Sequence, residues 1–254
     1  METNGNAYAK ESGMRLSRVI LTGFVWLCAL LTMAQSQDIN DYVQTRLHDL
    51  RGTVRQQTAN QRELEKINRD FANSYRIKQM TARYKEPSKM RLESKVGVVN
   101  VVYIINGDHK HVSAGPIRNT DDISNAPGKR QSLMDFGILT PSFMRLVNAK
   151  FLRTDSEGGV RYPVFELTWA NSDDTSKHVV WMDGKTRTIF KRQWYNQQGK
   201  LMATFFYKNA AEAAPGIWVP TRVEVYNAEG KLGGITTYTD LRVNEGLPDS
   251  LFQF

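Results

Sequence analysis

His109 and His111 stand two positions apart just after an Asn106-Gly107 turn, so both imidazoles share one face of a strand and offer two ligands to a metal ion. No third ligand is designated nearby. The pair therefore reads as a solvated hairpin tip, and no metal or other cofactor is expected. Phe190-Lys191-Arg192-Gln193-Trp194-Tyr195 interleaves aromatic and basic side chains, a pattern that on some sheets stacks bases. Strand alternation sends these aromatics to both faces, which favours packing within a sheet. Gly230-Lys231-Leu232-Gly233-Gly234 lacks the spacing and the following helix of a phosphate loop and reads as a turn and bulge. Neither a Gly-x-Ser-x-Gly elbow nor a His-Glu-x-x-His helix is present. The acidic pairs Asp121-Asp122 and Asp173-Asp174 sit in polar loops that the sequence does not set opposite each other. Catalysis is unsupported, and the expectation is a protein that is not an enzyme.

The chain's single cysteine, Cys28, lies inside the apolar run 19–31, which Met14, Arg15 and Arg18 precede and the polar exit Thr32-Met33-Ala34-Gln35-Ser36-Gln37 follows. A charged start, an apolar stretch shorter than the ~20 residues of a spanning helix, and small residues at the exit read as a secretory signal peptide. Cleavage is expected after Ala34 or Ser36, the true start is Met1 or Met14, and an uncleaved anchor is the alternative. Trp26 and Leu27 before Cys28 do not form a lipoprotein cleavage site. Without residues 1–34 the chain has no thiol, which excludes disulfides, cysteine nucleophiles and thiolate metal sites. It keeps 31 basic against 24 acidic side chains. For an exported, periplasmic protein that excess points to anionic lipids and glycans, not to nucleic acid.

Residues 38–73 place Ile39, Val43, Leu47, Leu50 and Val54, then Leu64, Ile67 and Phe71, at spacings of three and four, which predicts an N-terminal amphipathic helix region over 35–73. Its polar stretch 56–62 is either a break or a solvated turn. From 74 to 254 the periodicity changes to that of strands: 75–84, 90–96, 98–105, 150–154, 162–169, 178–182, 186–195, 201–207, 217–226 and 235–243. Asn106-Gly107, Asp183-Gly184, Gln198-Gly199 and Glu229-Gly230 supply hairpin turns between them. Only 124–148 interrupts this antiparallel meander, with an apolar patch and a short helix beginning at Pro141. The segment 98–105 is apolar on both sides, Asn100 apart, and such a strand needs cover on both faces.

Three stretches carry a resemblance: Tyr84-Lys85-Glu86-Pro87-Ser88-Lys89-Met90-Arg91-Leu92-Glu93; Tyr103-Ile104-Ile105-Asn106-Gly107-Asp108; and Leu241-Arg242-Val243-Asn244-Glu245-Gly246-Leu247-Pro248-Asp249-Ser250-Leu251-Phe252. Val180-Trp181-Met182-Asp183-Gly184-Lys185-Thr186 and Val219-Pro220-Thr221-Arg222 add to it. In this order, over about residues 60–254, they resemble the LolA-like outer-membrane lipoprotein-sorting proteins. The resemblance implies an α+β fold, an incomplete antiparallel β-barrel with an N-terminal helix and a helical lid over an apolar cavity. It also implies a carrier that shelters acyl chains, whose ~0.8 kcal/mol per buried CH₂ makes a dry groove necessary. Two departures are visible. Glu86 stands where the family's carriers have an Arg that helps hold the lid, and the chain ends at Phe254 without their C-terminal extension.

Met90, Leu92, Val102, Ile104, Phe165, Leu167 and Phe205 are the expected cavity residues, and Leu133, Phe136, Leu139, Phe143 and Leu146 the expected lid. The phase of each strand rests on alternation, and Ile104→Glu is expected to abolish acyl binding in a folded protein. The expected partner is an acyl lipid or a lipoprotein. The alternative is a regulatory sensor on the same fold that binds an inner- or outer-membrane protein; a hydrolase acting on lipid or glycan is a third reading.

Overall fold

Glycine-containing turns organise residues 37–254, the part of the chain described by the structure, a computed structural model. The expected leader, 1–34, and its cleavage positions Ala34 and Ser36 lie outside the described residues. The strands are β1 (Asp49–Ala59), β2 (Gln79–Lys85), β3 (Lys89–Val96), β4 (Val99–Asn106), β5 (His109–Ala114), β6 (Ile117–Asp122), β7 (Val147–Glu157), β8 (Val160–Trp169), β9 (Lys177–Met182), β10 (Ile189–Tyr195), β11 (Leu201–Ala214), β12 (Ile217–Asn227) and β13 (Leu232–Val243). Among the described residues they form one 13-stranded sheet ordered β6-β5-β4-β3-β2-β1-β13-β12-β11-β10-β9-β8-β7. The four expected turns each join two antiparallel neighbours.

The chain enters mid-sheet at β1, meanders out to the edge strand β6, crosses to the opposite edge at β7, and meanders back until β13 pairs with β1, Leu50 opposite Val243. The large open antiparallel sheet expected from the meander is present. Of the helical region expected over 35–73, only the second apolar stripe, Leu64, Ile67 and Phe71, falls among helices. Residues 38–73 hold a 3-10 turn (Ile39–Tyr42), β1, and two short helices, α1 (Gln61–Glu65) and α2 (Arg69–Ser74). Asn60 and Asn68 cap these helices, the Asn68 side chain accepting from the Asp70 and Phe71 amides at 2.8 and 3.1 Å. The helical spacing of Leu47, Leu50 and Val54 is a coincidence of β1's inner positions, Leu50, Gly52, Val54 and Gln56. Only two of those four are large and apolar, so the period of two is hidden. Hydrogen bonding to β2 on one side and β13 on the other overrides the local pattern. β5 and β6 also escape the pattern, because their residues are mostly polar and partly or fully exposed.

The sheet has a covered inner face. One contiguous core joins Leu50, Tyr84, Met90 and Ile105 from the first half of the sheet to Phe165, Val180, Phe205, Val223 and Tyr238 from the second. Helices α1 and α2 dock on this face where β13 carries Gly233 and Gly234: a side chain at Gly234 would collide with the Tyr75 ring. The outer face of β3 and β4 is covered by the chain's last residues. Ile104 packs there with Leu247 and Phe252, while Lys85 and Lys89 pair with Asp249 at 2.8 and 3.0 Å. The first and last of the resemblance stretches thus meet across the outer surface, where Arg91 donates to the Leu251 carbonyl at 2.8 Å.

Candidate functional site

Residues 123–146 connect the two edges of the sheet and lie on its inner face, with 3-10 turns at Pro127–Lys129 and Leu133–Phe136 and a short helix α3 (Pro141–Met144). Apolar side chains drive this segment into the core: Leu133, Ile138 and Leu139 are fully buried, and Phe136 and Phe143 nearly so. Gly137 makes the close approach feasible. Its φ of 82° closes the Leu133–Phe136 turn, and a Cβ there would stand 2.6 Å from the Tyr207 ring. The Gly137 carbonyl accepts from the Ile189 amide at 2.8 Å and the Leu139 carbonyl from Gln44 at 3.0 Å, stitching the segment to β10 and to the N-terminal turn.

Glu86 contributes a further tie. Its Oε1 accepts from the Tyr84 hydroxyl at 2.7 Å and from the Ser142 hydroxyl at 2.9 Å, so the β2–β3 turn grips the start of α3. Where the resemblance would place a donating Arg, this chain uses an acceptor, and Ser142 supplies the donor. Burial, followed by the Glu86 charge, raises the Tyr84 pKa, so the phenol stays protonated and donates.

Beside this segment the inner face leaves a cavity of about 270 Å³. Phe71, Tyr75 and Ile77 wall it on the side of α2; Val54, Met80, Met90 and Leu92 come from β1 to β3; Phe205, Val223, Val225 and Tyr238 come from β11 to β13. The crossing segment contributes Gln131, Asp135 and Phe136. The lining is mainly apolar with one ionic pair, Arg192 and Asp135, whose Nη2 and Oδ1 are 3.1 Å apart. Arg192 is 4 % exposed and lies 4.1 Å over the Phe205 ring. Burial works against its charge, but Tyr207 and Asp135 beside it push its pKa up. Burial in turn raises the pKa of Tyr75, Tyr207 and Tyr238 around it. His178, on β9, is held well below its ordinary value by burial first and by Arg192 second.

Of the residues expected to line a cavity, Met90, Leu92 and Phe205 come together there, and Phe136 joins them from the expected lid. Val102 and Ile104 do not. The register sets Ile104 opposite Arg91 and Val102 opposite Glu93, and both belong to the outer-face cluster under Phe252. The face assigned to them is corrected: on β4 it is Tyr103 and Ile105 that point inward with Leu92 and Met90. Phe165 and Leu167 are buried on the inner face away from the cavity, Phe165 against Tyr42 with ring centroids 6.0 Å apart. Leu133, Leu139 and Phe143 are buried and Leu146 half-buried in the crossing segment, outside the lining. Arg192 was missed, although its alternation with Gln193 and phase with Trp194 marked it as facing the same side as a large aromatic.

His111 donates to or accepts from Thr120 at 2.7 Å and stacks on Phe254 on the outer face. Among the described residues no group of three or more His, Asp or Glu side chains is placed to hold a metal ion. No helix of the described residues is long and apolar enough to cross a membrane.

No curated protein matches the chain. Among solved structures it is similar to a LolA superfamily protein from Nitrosomonas europaea, at 17% identity and a TM-score of 0.59, covering 85% of this chain and 94% of that one. It is also similar to a putative outer membrane lipoprotein-sorting protein domain from Vibrio parahaemolyticus, at 15% identity and a TM-score of 0.53, again over 85% and 94%. A family model described as "Uncharacterized protein" matches residues 123–254, from the crossing segment through the whole returning half of the sheet. The chain belongs to that family, and it carries the LolA-like fold.

Proposed function

We propose that the protein is a non-enzymatic, periplasmic carrier that shelters the acyl part of a lipid or lipoprotein in the inner-face cavity, with residues 124–148 as its lid. The observation that carries this reading is the cavity itself, an apolar-walled space kept open between α2, the crossing segment and the sheet. Much of the inner face is closed by buried side chains of one contiguous core, and an apolar-walled space left within it forfeits packing contacts unless something apolar fills it. Each buried CH₂ of a ligand contributes about 0.8 kcal/mol, so a chain of modest length gains affinity without any specific polar contact. The signal-peptide pattern and the basic excess agree with a place of action beside anionic membrane lipids. Purification from the periplasm without detergent, followed by native mass measurement and extraction, tests it. The expected result is a bound acyl compound at one per protein. A protein that is empty, takes up no added lipid or lipopeptide, and co-purifies with a membrane protein would replace the carrier by the sensor reading.

A further inference from the structure

We propose that the cavity takes a single acyl chain ending in a carboxylate, a free fatty acid, and that Arg192 binds the head group. This rests on the carrier reading and names its ligand class. Arg192 enters the lining with its side chain only 5% exposed, and its Nε–H is buried with no hydrogen-bond partner. A guanidinium has five N–H donors and no acceptor, and a buried donor without a partner is an uncompensated cost. Asp135 accepts from Nη2 and the Tyr207 hydroxyl stands beside the group, yet neither satisfies Nε–H. The Asp135 side chain is 39% exposed and belongs to the crossing segment, so the cation is far more buried than its counter-ion. The Phe205 ring closes one face of the guanidinium plane, which leaves its edge for recognition.

An incoming carboxylate matches that edge. Its two oxygens fit the planar fork, giving short, charge-assisted bonds that an alcohol or ester cannot make. Size points the same way. About 270 Å³ falls just below the ~300–1,000 Å³ typical of small-molecule pockets, which suits one chain better than a lipid with several. Apolar walls from Phe71, Met90, Leu92 and Val225 would take the tail. A phosphate head on a single chain shares the anionic chemistry, and the test separates the two sources.

The test is displacement of a fluorescent acyl probe from the purified protein by laurate, methyl laurate and lauroyl lysophosphatidate. Laurate is expected to bind about 10- to 100-fold more tightly than methyl laurate, the scale of a hydrogen bond to a charged group. Arg192→Met should erase that preference, so that laurate and methyl laurate displace the probe equally. Asp135→Asn, which keeps the shape and removes the competing carboxylate, should tighten laurate binding. Equal binding of laurate and methyl laurate to the unmutated protein overturns the head-group assignment and leaves the acyl cavity standing. Stronger displacement by lysophosphatidate than by laurate overturns the choice of carboxylate. Failure of all three ligands to displace the probe, or of the probe to bind, overturns the carrier reading itself. The comparison in the unmutated protein holds whether or not the variants fold.

Discussion

Arg192 and His178 share a buried neighbourhood in which one side chain is kept charged and the other neutral. His178 is 7% exposed, its Nδ1 has no hydrogen-bond partner, and the Trp169 ring stands edge-on at 5.9 Å. Burial and the nearby guanidinium both disfavour the imidazolium, so its pKa is lower in the folded than in the unfolded chain. The unfolded chain therefore binds the proton first as pH falls. Stability is unaffected by this group above about pH 6.5 and declines below it, by at most about 1.4 kcal/mol per pH unit. Urea unfolding between pH 7 and 5.5 should show this loss, and His178→Gln should flatten it. An equal slope in the variant would assign the loss to other groups.

At the scale of elements, two contacts hold pieces of chain against opposite faces of the sheet. On the inner face, Glu86 ties α3 through Ser142 and Tyr84. Glu86→Ala removes one acceptor from both hydroxyls, which keep each other at 3.0 Å as partners, so the cost is about 1 kcal/mol and its clearest readout is local. Amide hydrogen exchange in 133–146 should quicken more than exchange in β11 to β13, whereas a uniform change across the sheet would show that the tie is not local. On the outer face, Phe252 is fully buried between Ile104 and Leu247. Phe252→Ala should destabilise by about 3–5 kcal/mol in urea unfolding and leave the cavity walls untouched. Ile104→Glu belongs with it: the charge would be buried under Phe252, so the expected outcome is lost stability, not selective loss of acyl binding.

At the scale of the whole molecule, the two halves of the meander are held together by β1 pairing with β13 and by the crossing segment, so the cavity draws its walls from both. A ligand in that space binds the folded state alone and stabilises all of it. Laurate at about a hundred times its dissociation constant should contribute about 2.7 kcal/mol and raise Tm by roughly 5–10 °C, read by scanning calorimetry. Methyl laurate at the same concentration should give a smaller rise. The free edges are handled by composition: β6, Ile117–Asp122, is short, exposed and carries Arg118, Asp121 and Asp122, which discourages pairing with another sheet.

The antiparallel meander was legible in the order of residues alone, because Asn-Gly and Asp-Gly turns and clear alternation, as in Phe165, Leu167 and Trp169, act over a few residues. The inward direction of Met90, Leu92 and Phe205 followed from the same local signal. Three features were decided only by the tertiary structure. β1 is a strand because β2 and β13 supply hydrogen bonds on both sides, although its own apolar spacing reads as helix. The phase of β4 has no local signature, since a strand apolar on both faces is indifferent to a one-residue slip; the final residues, more than 140 positions away, choose by covering Ile104. Arg192 shares the phase of Trp194 in its own strand, but what balances its charge is not local: Asp135, 57 residues earlier, reaches it from the crossing segment. Local periodicity reports whether a face is dry; what covers that face, and which charge is balanced there, depends on segments that meet only when the chain folds.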